Sequence, residues 1–162
     1  MTPNRFLTLC ALAAFCWVSP SRADDAGQFR TEVWLNGGVL SYHFRRNQDY
    51  REENWGFGAE ALFARRHAVL AGTYLNSENS RSHYFGYEYR PFVRERNGVR
   101  VSAGVAFALV DGYPSTRDGN WFPAAIPRLS VEGKRIGASV LLLPNFKQGP
   151  AIAFELKLKV WN

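Results

Sequence analysis

The chain has 162 residues, 46% of them hydrophobic, and a formal net charge of +6, which allows one folded domain behind a targeting segment. Charged residues make up 21% and aromatic residues 15%, a composition that excludes a disordered chain. The mean hydropathy is −0.26 and no run reaches the roughly 18 apolar residues of a membrane helix, so a bundle of membrane helices is excluded as well.

The N-terminus has the order of a secretory signal peptide. A basic residue near the start precedes a moderately apolar stretch over residues 6–18, and Ser21 and Ala23 are the small residues expected at −3 and −1 of a cleavage site. The apolar stretch is too short for an anchor, and it lacks the polar periodicity of an N-terminal core helix. We therefore predict a signal peptide at 1–23 and a mature domain at 24–162.

The predicted mature domain contains no cysteine, because Cys10 and Cys16 both lie in the signal segment. An exported domain of this size without disulfides must be stabilised in another way. Loss of Arg5 and Arg22 leaves 18 basic and 14 acidic residues, a net charge of +4. This weak excess does not indicate nucleic acid as a partner.

Strand patterns fill the mature domain. Eight segments of about the 9–11 residues that a tilted strand needs to cross a bilayer show alternation or strand composition. They are residues 33–44, 55–63, 67–76, 82–92, 99–110, 121–131, 136–144 and 151–161. Such alternation is compatible with a soluble β-sandwich or with a membrane barrel whose apolar face meets lipid. The signal peptide, the strand length and the aromatic content favour the barrel.

The connections between these segments alternate in character. Four are longer or polar (45–54, 77–81, 111–120 and 145–150), and the three between them are shorter (64–66, 93–98 and 132–135). Outer-membrane barrels have long outer loops and short periplasmic turns, and closing eight strands leaves no sheet edge in lipid. The predicted fold class is therefore all-β, an eight-stranded antiparallel transmembrane β-barrel.

Few residues in the sequence suggest chemistry. There is no glycine-rich phosphate loop, metal-spaced cluster or nucleophile elbow, so we expect neither a metal nor another cofactor. His43 precedes the first long loop, and Asn76 and Ser77 lie at the top of the third segment, which places all three at one rim of the barrel. A histidine beside a serine and an amide could support acyl transfer, and the alternative is ordinary polarity at the rim.

Prolines interrupt the sixth and seventh strand segments. Pro127 lies in the sixth, and Pro144 ends the seventh. Proline cannot donate to a sheet ladder, so hydrogen bonds between these neighbouring strands must be missing. The alternatives are a frayed strand end and a lateral gap through which an acyl chain reaches the barrel interior.

The ordered set of motifs resembles one known family. The motifs are Ser-Tyr-His43, Tyr50-Arg-Glu-Glu-Asn-Trp-Gly-Phe-Gly58, Asn76-Ser77, Gly86-Tyr87, Arg90-Pro91, Asn120-Trp121 and Pro127-Arg-Leu-Ser-Val-Glu-Gly133, followed by Pro144. Between about residues 37 and 144 the chain is similar to the PagP family, the outer-membrane lipid A palmitoyltransferases. The resemblance implies an eight-stranded barrel that transfers an acyl chain from a phospholipid donor to a lipid A acceptor.

The resemblance also implies roles for individual residues. His43 matches the family's essential histidine, and Ser77 matches its serine, as a positioning group or a nucleophile. The family's aspartate falls on Asn76, which can orient a histidine but supplies no charge. Pro127 and Pro144 match the prolines beside a lateral gateway.

The interior below the family's acyl pocket departs from the pattern. The small residue there falls on Glu88, and we expect this carboxylate to pair with an inward basic residue, for instance on the last strand, because an unpaired buried charge is costly. Two functions remain open: a monomeric outer-membrane acyltransferase acting on membrane lipids, and a non-catalytic, envelope-protective barrel with a polar plugged core.

Overall fold

The computed structural model describes residues 30–45, 50–144 and 149–162, so the predicted signal peptide lies outside the described residues. They form a closed antiparallel barrel in which each strand pairs with the next and β8 pairs with β1. The strands are β1 (Glu32–His43), β2 (Gly56–Phe63), β3 (His67–Leu75), β4 (Arg81–Arg96), β5 (Val99–Val110), β6 (Phe122–Glu132), β7 (Ile136–Leu143) and β8 (Ala151–Trp161). The predicted eight-stranded all-β fold is confirmed.

The strand boundaries agree with the sequence to within one residue, except at the end of β4. This strand continues to Arg96, four residues past the predicted end at 92, and pairs with β5 across the turn Asn97–Gly98. Both turn residues have positive φ, 52° and 75°. An Asn-Gly pair is the preferred sequence for such a two-residue hairpin, so this turn was readable from the sequence.

The two ends of the barrel differ in their connections. At one end of the barrel, the turn end, lie the start of β1, the end of β8 and the β2–β3, β4–β5 and β6–β7 turns. The four longer connections lie at the opposite, loop end. Of the residues described, none belongs to a helix long and apolar enough to cross a membrane.

The outer wall of the barrel is apolar. Outward positions of every strand carry large apolar side chains, among them Phe57, Val69, Phe85, Phe107, Leu129, Val140 and Leu156. Small or polar residues alternate with them and face inward, as the period-2 geometry of a strand requires. This outward arrangement matches a barrel wall that contacts lipid.

Charged side chains fill the interior of the turn-end half. Five carboxylates and five basic groups form what we call the ion-pair network: Glu32, Glu60, Glu88, Glu132, Glu155, Arg90, Arg100, Arg128, Lys157 and Lys159. Trp34 is fully buried among them, with the ammonium groups of Lys157 and Lys159 4.9 and 5.0 Å from its ring centre. Charges of both signs are therefore balanced inside this half.

Candidate functional site

The loop-end half of the interior contains an apolar chamber of about 130 Å³. Its wall consists mainly of aliphatic and small side chains from five strands: Leu70, Ala106, Ala108, Val110, Ile126, Leu141, Leu143 and Ala153. Polar residues reach it at its two ends, with Glu155 and Asn36 toward the ion-pair network and Ser41, His43 and Ser77 toward the loops. The chamber therefore joins an apolar interior to a polar rim.

Tyr84 forms the floor of this chamber. A Cβ atom added to Gly58 or Gly72 would lie 2.3 or 2.6 Å from the Tyr84 hydroxyl, so the phenol ring crosses the barrel and fits against two glycines on β2 and β3. Its neighbours below include the charged side chains of Glu155, Arg128 and Glu60. The ring thus separates the apolar chamber from the ion-pair network.

A β-bulge in β1 turns His43 into the barrel. Trp34 and Asn36 face inward at even positions, whereas Ser41 and His43 are buried at odd positions. The pairing of β1 with β8 shifts between Gly38 and Leu40, which inserts one extra residue into β1. Because a bulge reverses the alternation beyond it, the strand end carries Ser41 and His43 inward.

Ser41 and Asn54 fix the surroundings of the His43 ring. The Asn54 amide nitrogen donates to the carbonyl of Leu75 at 2.9 Å, so its oxygen faces Ser41 and accepts the Ser41 hydroxyl hydrogen at 2.5 Å. The Ser41 oxygen lies 3.4 Å from His43 Nε2 and can accept a hydrogen from it. In this tautomer Nδ1 carries the lone pair and is the nitrogen able to accept a proton.

The ring of Tyr50 stacks on His43, with centroids 4.5 Å apart and an interplanar angle of 26°. This contact fixes the plane of the imidazole. Across the rim, the hydroxyls of Tyr74 and Tyr113 lie 3.0 Å apart, and burial raises the pKa of the loop residue Tyr113 well above its usual value. The rim therefore keeps a neutral phenol beside the chamber.

Ser77 lies at the same rim and is also buried. Its backbone carbonyl accepts a hydrogen bond from the Arg51 amide at 3.0 Å, which attaches the β3–β4 loop to the chain between β1 and β2. His43 and Ser77, predicted to share a rim, both line the chamber.

Asn76 has a different neighbourhood from the one expected. Its side-chain oxygen accepts the amides of Glu78 and Ser80 at 2.9 and 3.0 Å, and its nitrogen donates to Ser82 Oγ at 2.9 Å and the Gly112 carbonyl at 2.7 Å. These four bonds use the full capacity of an amide. Asn76 shapes two loops and retains no hydrogen bond with which to orient His43.

The β6–β7 ladder ends halfway up the barrel. Its pairs run from Glu132↔Gly137 to Arg128↔Leu141, whereas β6 continues outward to Phe122. Pro127 is the first residue of β6 beyond the last pair, and it is exposed, as is Pro144 after β7. The described β6–β7 ladder lacks the pairs beyond Arg128↔Leu141 that the prolines predicted to be missing, and Ile126, Leu141 and Leu143 line the chamber next to this unpaired part of the seam.

The opposite side, between β1 and β2, is closed. The strand ladder there ends at Gly38↔Gly56, but the chain before β2 continues the contact. The Ser41 amide donates to the Glu52 carbonyl at 2.7 Å, and the Ser41 hydroxyl donates to the side-chain oxygen of Asn54 at 2.5 Å. Hydrogen bonds between described residues thus continue the β1–β2 contact beyond its ladder, whereas no described ladder pair continues the β6–β7 contact beyond Arg128↔Leu141.

Glu88 lies below the floor and is paired, as predicted, although its partners are not on the last strand. Its carboxylate is 3.0 Å from both Arg90 on β4 and Arg128 on β6. Lys157 on β8 binds Glu60 and Glu132 instead. Glu88 belongs to the ion-pair network and does not line the chamber.

The sequence did not predict the roles of three residues of this site. Ser41 and Asn54 belong to motifs that carry the resemblance, but their hydrogen bonds with each other and with His43 were not predicted. Tyr84 belongs to none of these motifs, and its role depends on contacts across the barrel. Within the described ranges, no group of three His, Cys, Asp or Glu side chains could hold a metal ion.

No protein-family model matches the chain, and no curated protein matches it significantly.

Proposed function

We propose that this barrel lies in the bacterial outer membrane and transfers an acyl chain from a phospholipid to lipid A. The apolar chamber carries the proposal, since it is closed below by Tyr84 and reaches the rim beside His43. The apolar outer wall supports the membrane location. The resemblance to the PagP family supports the choice of donor and acceptor.

The chamber suits the end of an acyl chain. Its lining is aliphatic, and its volume is close to the roughly 150 Å³ of a cavity that binds benzene. The chain would enter through the unpaired part of the β6–β7 seam, where Pro127 borders the barrel wall. The carbons next to the donor ester would then lie at the upper end of the chamber, beside His43 and Ser77.

The proposed step needs one proton acceptor at the rim. The hydroxyl oxygen of the acceptor attacks the carbonyl carbon of the donor ester, and the imidazole of His43 takes the hydroxyl proton. The bond between the acyl carbon and the glycerol oxygen then breaks, and that oxygen takes the proton from His43. Ser41 and Asn54 hold the tautomer, and Ser77 holds the donor ester in place.

A transfer assay with purified protein tests this function. Radiolabelled phospholipid and lipid A are mixed with the protein in detergent micelles, and labelled lipid A is separated by chromatography. We expect transfer by the wild type, and a loss of at least about 100-fold in His43→Ala, which is the usual contribution of a general base. Ser77→Ala should lower transfer as well, and His67→Ala, at the turn end, is the matched control.

A non-catalytic barrel is the second candidate, and one observation favours it. The residue at the family's aspartate position, Asn76, has its whole amide engaged in loop contacts. The protein would then be a non-catalytic, envelope-protective barrel whose interior is plugged by the ion-pair network. Absence of transfer from wild-type protein that still shifts on a gel after boiling would favour this candidate over the acyltransferase.

A further inference from the structure

Six basic residues lie in or beside the three turns at the turn end of the barrel, and Arg30, before β1, is a further basic residue of the described chain at this end. Each of the three turns contributes two: Arg65 and Arg66 between β2 and β3, Arg94 and Arg96 beside the β4–β5 turn, and Lys134 and Arg135 between β6 and β7. We call these six residues the basic ring. One acidic residue, Glu95, lies among them, 3.5 Å from Arg65.

The other charged side chains that the structure describes do not offset this ring. The ion-pair network inside the barrel balances five basic against five acidic groups. At the loop end, the described residues outside the interior are four basic and five acidic: Arg45, Arg51, Arg81, Arg117, Glu52, Glu53, Glu78, Asp111 and Asp118. Among the described residues, the positive excess is therefore concentrated at the turn end.

Four members of the ring are available to a partner. Arg94, Arg96, Lys134 and Arg135 are exposed, and none of the described residues forms an ion pair with them. Arg66, in contrast, donates to the carbonyl of Pro91 at 2.5 Å and stays close to the wall. The ring thus presents several free cations around one fixed guanidinium.

Large apolar side chains border the basic ring. Phe92, Ile136 and Trp161 lie at the same end and are 67%, 72% and 67% exposed. Basic side chains next to exposed aromatic and aliphatic ones are the arrangement of a membrane–water boundary, where headgroups meet acyl chains. A soluble anion could bind to the basic side chains alone, whereas a lipid would contact the neighbouring apolar side chains as well.

We propose that the basic ring binds the headgroups of anionic phospholipids in the leaflet at the turn end. This inference rests on the membrane location proposed above. It goes beyond that proposal, because it concerns the end of the barrel away from the chamber and lipids that are not substrates. Anionic lipid should then be enriched around this end, and salt should weaken the enrichment.

The cysteine-free mature chain allows a matched measurement at the two ends. Asn79 and Asn97 are both exposed turn residues with positive φ, 59° and 52°, at opposite ends of β4. Asn79→Cys and Asn97→Cys therefore carry similar backbone strain, and each accepts one fluorophore. The labelled proteins are inserted into phosphatidylcholine vesicles that contain about 20% phosphatidylglycerol. At this low charge density, enrichment of anionic lipid around the protein can be detected.

The readout is quenching by a small fraction of headgroup-quencher lipid, anionic or zwitterionic. We expect the anionic quencher to act at least about twofold more strongly than the zwitterionic one at position 97, and about equally at position 79. The preference should vanish in Arg94→Gln/Arg96→Gln/Lys134→Gln. It should persist in the matched loop-end variant Arg51→Gln/Arg81→Gln/Arg117→Gln.

The outcomes separate this inference from the membrane location. Insertion into the vesicles with equal preference at both positions, or a preference that survives the turn-end triple variant, would overturn the inference alone. Displacement by millimolar glycerol phosphate would show a site for soluble phosphate and would also overturn it. Failure to insert into pure phosphatidylcholine vesicles would overturn the membrane location and this inference together.

Discussion

The two halves of the barrel interior are built from opposite materials. The turn-end half contains ten charged groups in direct contact, whereas the loop-end half contains aliphatic side chains around a chamber of about 130 Å³. A chamber forgoes the close packing that stabilises an interior, so the loop-end half stabilises the fold less. The difference indicates that one half maintains the closed barrel and leaves the other half free to form a site.

A buried ion-pair network stabilises the fold only when every charge in it has a partner. Removal of charges from water costs about as much as the pairs return, and replacing a whole network by apolar residues is often neutral. Loss of one member is different, because its partners remain buried and uncompensated. Substitutions in the turn-end half should therefore lower stability strongly, and substitutions around the chamber should lower it less.

Arg90→Gln should have the strongest effect. The Arg90 guanidinium is fully buried and contacts Glu60 at 2.5 Å, and Glu88 and Glu132 at 3.0 Å. Loss of this cation leaves five carboxylates against four basic groups in the buried network, and the free energy of unfolding should fall by about 4 kcal/mol. Urea unfolding in detergent micelles measures the change. Arg94→Gln, exposed on the same strand, should change it by less than about 0.5 kcal/mol.

If Arg90→Gln lowered the free energy of unfolding no more than Arg94→Gln does, the division of the interior into a charged and an apolar half would be contradicted.

The sequence indicated that charges face inward, because Glu60, Glu88, Lys157 and Lys159 share faces with small or polar residues in alternating strands. It did not indicate their partners. Partner choice depends on the tilt and stagger of the closed barrel, which bring β4 next to β6 across the interior, and sequence alternation contains no such information.

Glu88→Gln tests the same half with a milder change. Glu88 bridges Arg90 and Arg128, and both keep other carboxylate partners when it is neutralised. We expect a loss of about 3 kcal/mol in unfolding free energy, below that at Arg90. Glu95→Gln, whose carboxylate is exposed and 3.5 Å from Arg65, is the control and should cost less than about 0.5 kcal/mol. Equal losses of unfolding free energy in Glu88→Gln and Glu95→Gln would mean that the buried ion pairs of Glu88 stabilise the protein no more than an exposed pair does.

The rim of the chamber shows how far sequence reasoning reached. Strand topology placed His43 and Ser77 at one end of the barrel, and both line the chamber. The face of His43 was not readable from alternation, because the bulge near Gly38 reverses it. The pair Gly37-Gly38 was the one local sign of such a bulge. Asn76 was placed correctly along the chain, but its hydrogen bonds to Ser82 and Gly112 arise from loop geometry.

Asn76→Asp should destabilise the protein, although the resemblance to the PagP family predicts a carboxylate at this position. The new oxygen would face the Gly112 carbonyl and remove the hydrogen bonds that the amide donates to Gly112 and Ser82. The cost should be about 2 kcal/mol, as for unsatisfied buried polar groups. Asn79→Asp, in the same loop and exposed, should be nearly neutral in the same urea series. A neutral Asn76→Asp would mean that the loops tolerate a carboxylate there.

Tyr84 marks the boundary between the two halves, and a double-mutant cycle measures its fit. A Cβ atom on Gly58 would lie 2.3 Å from the Tyr84 hydroxyl and 2.8 Å from the carbonyl of Ala71. Gly58→Ala should therefore destabilise the barrel through overpacking. Tyr84→Phe removes the oxygen that the new methyl group approaches most closely, so Gly58→Ala should cost less in that background.

We expect the coupling energy of Gly58→Ala and Tyr84→Phe to be about 1 kcal/mol, within the range measured for residues in contact. The contact with Ala71 persists in both backgrounds, which keeps the rescue partial. Gly104→Ala serves as the matched control, since its Cβ would meet the backbone of Tyr89 and Arg90 and not the phenol. Its cost should be the same with Tyr or Phe at position 84. If Gly58→Ala cost the same with Tyr and with Phe at position 84, the Tyr84 hydroxyl would not lie against Gly58. The phenol would then not form the floor that separates the chamber from the ion-pair network.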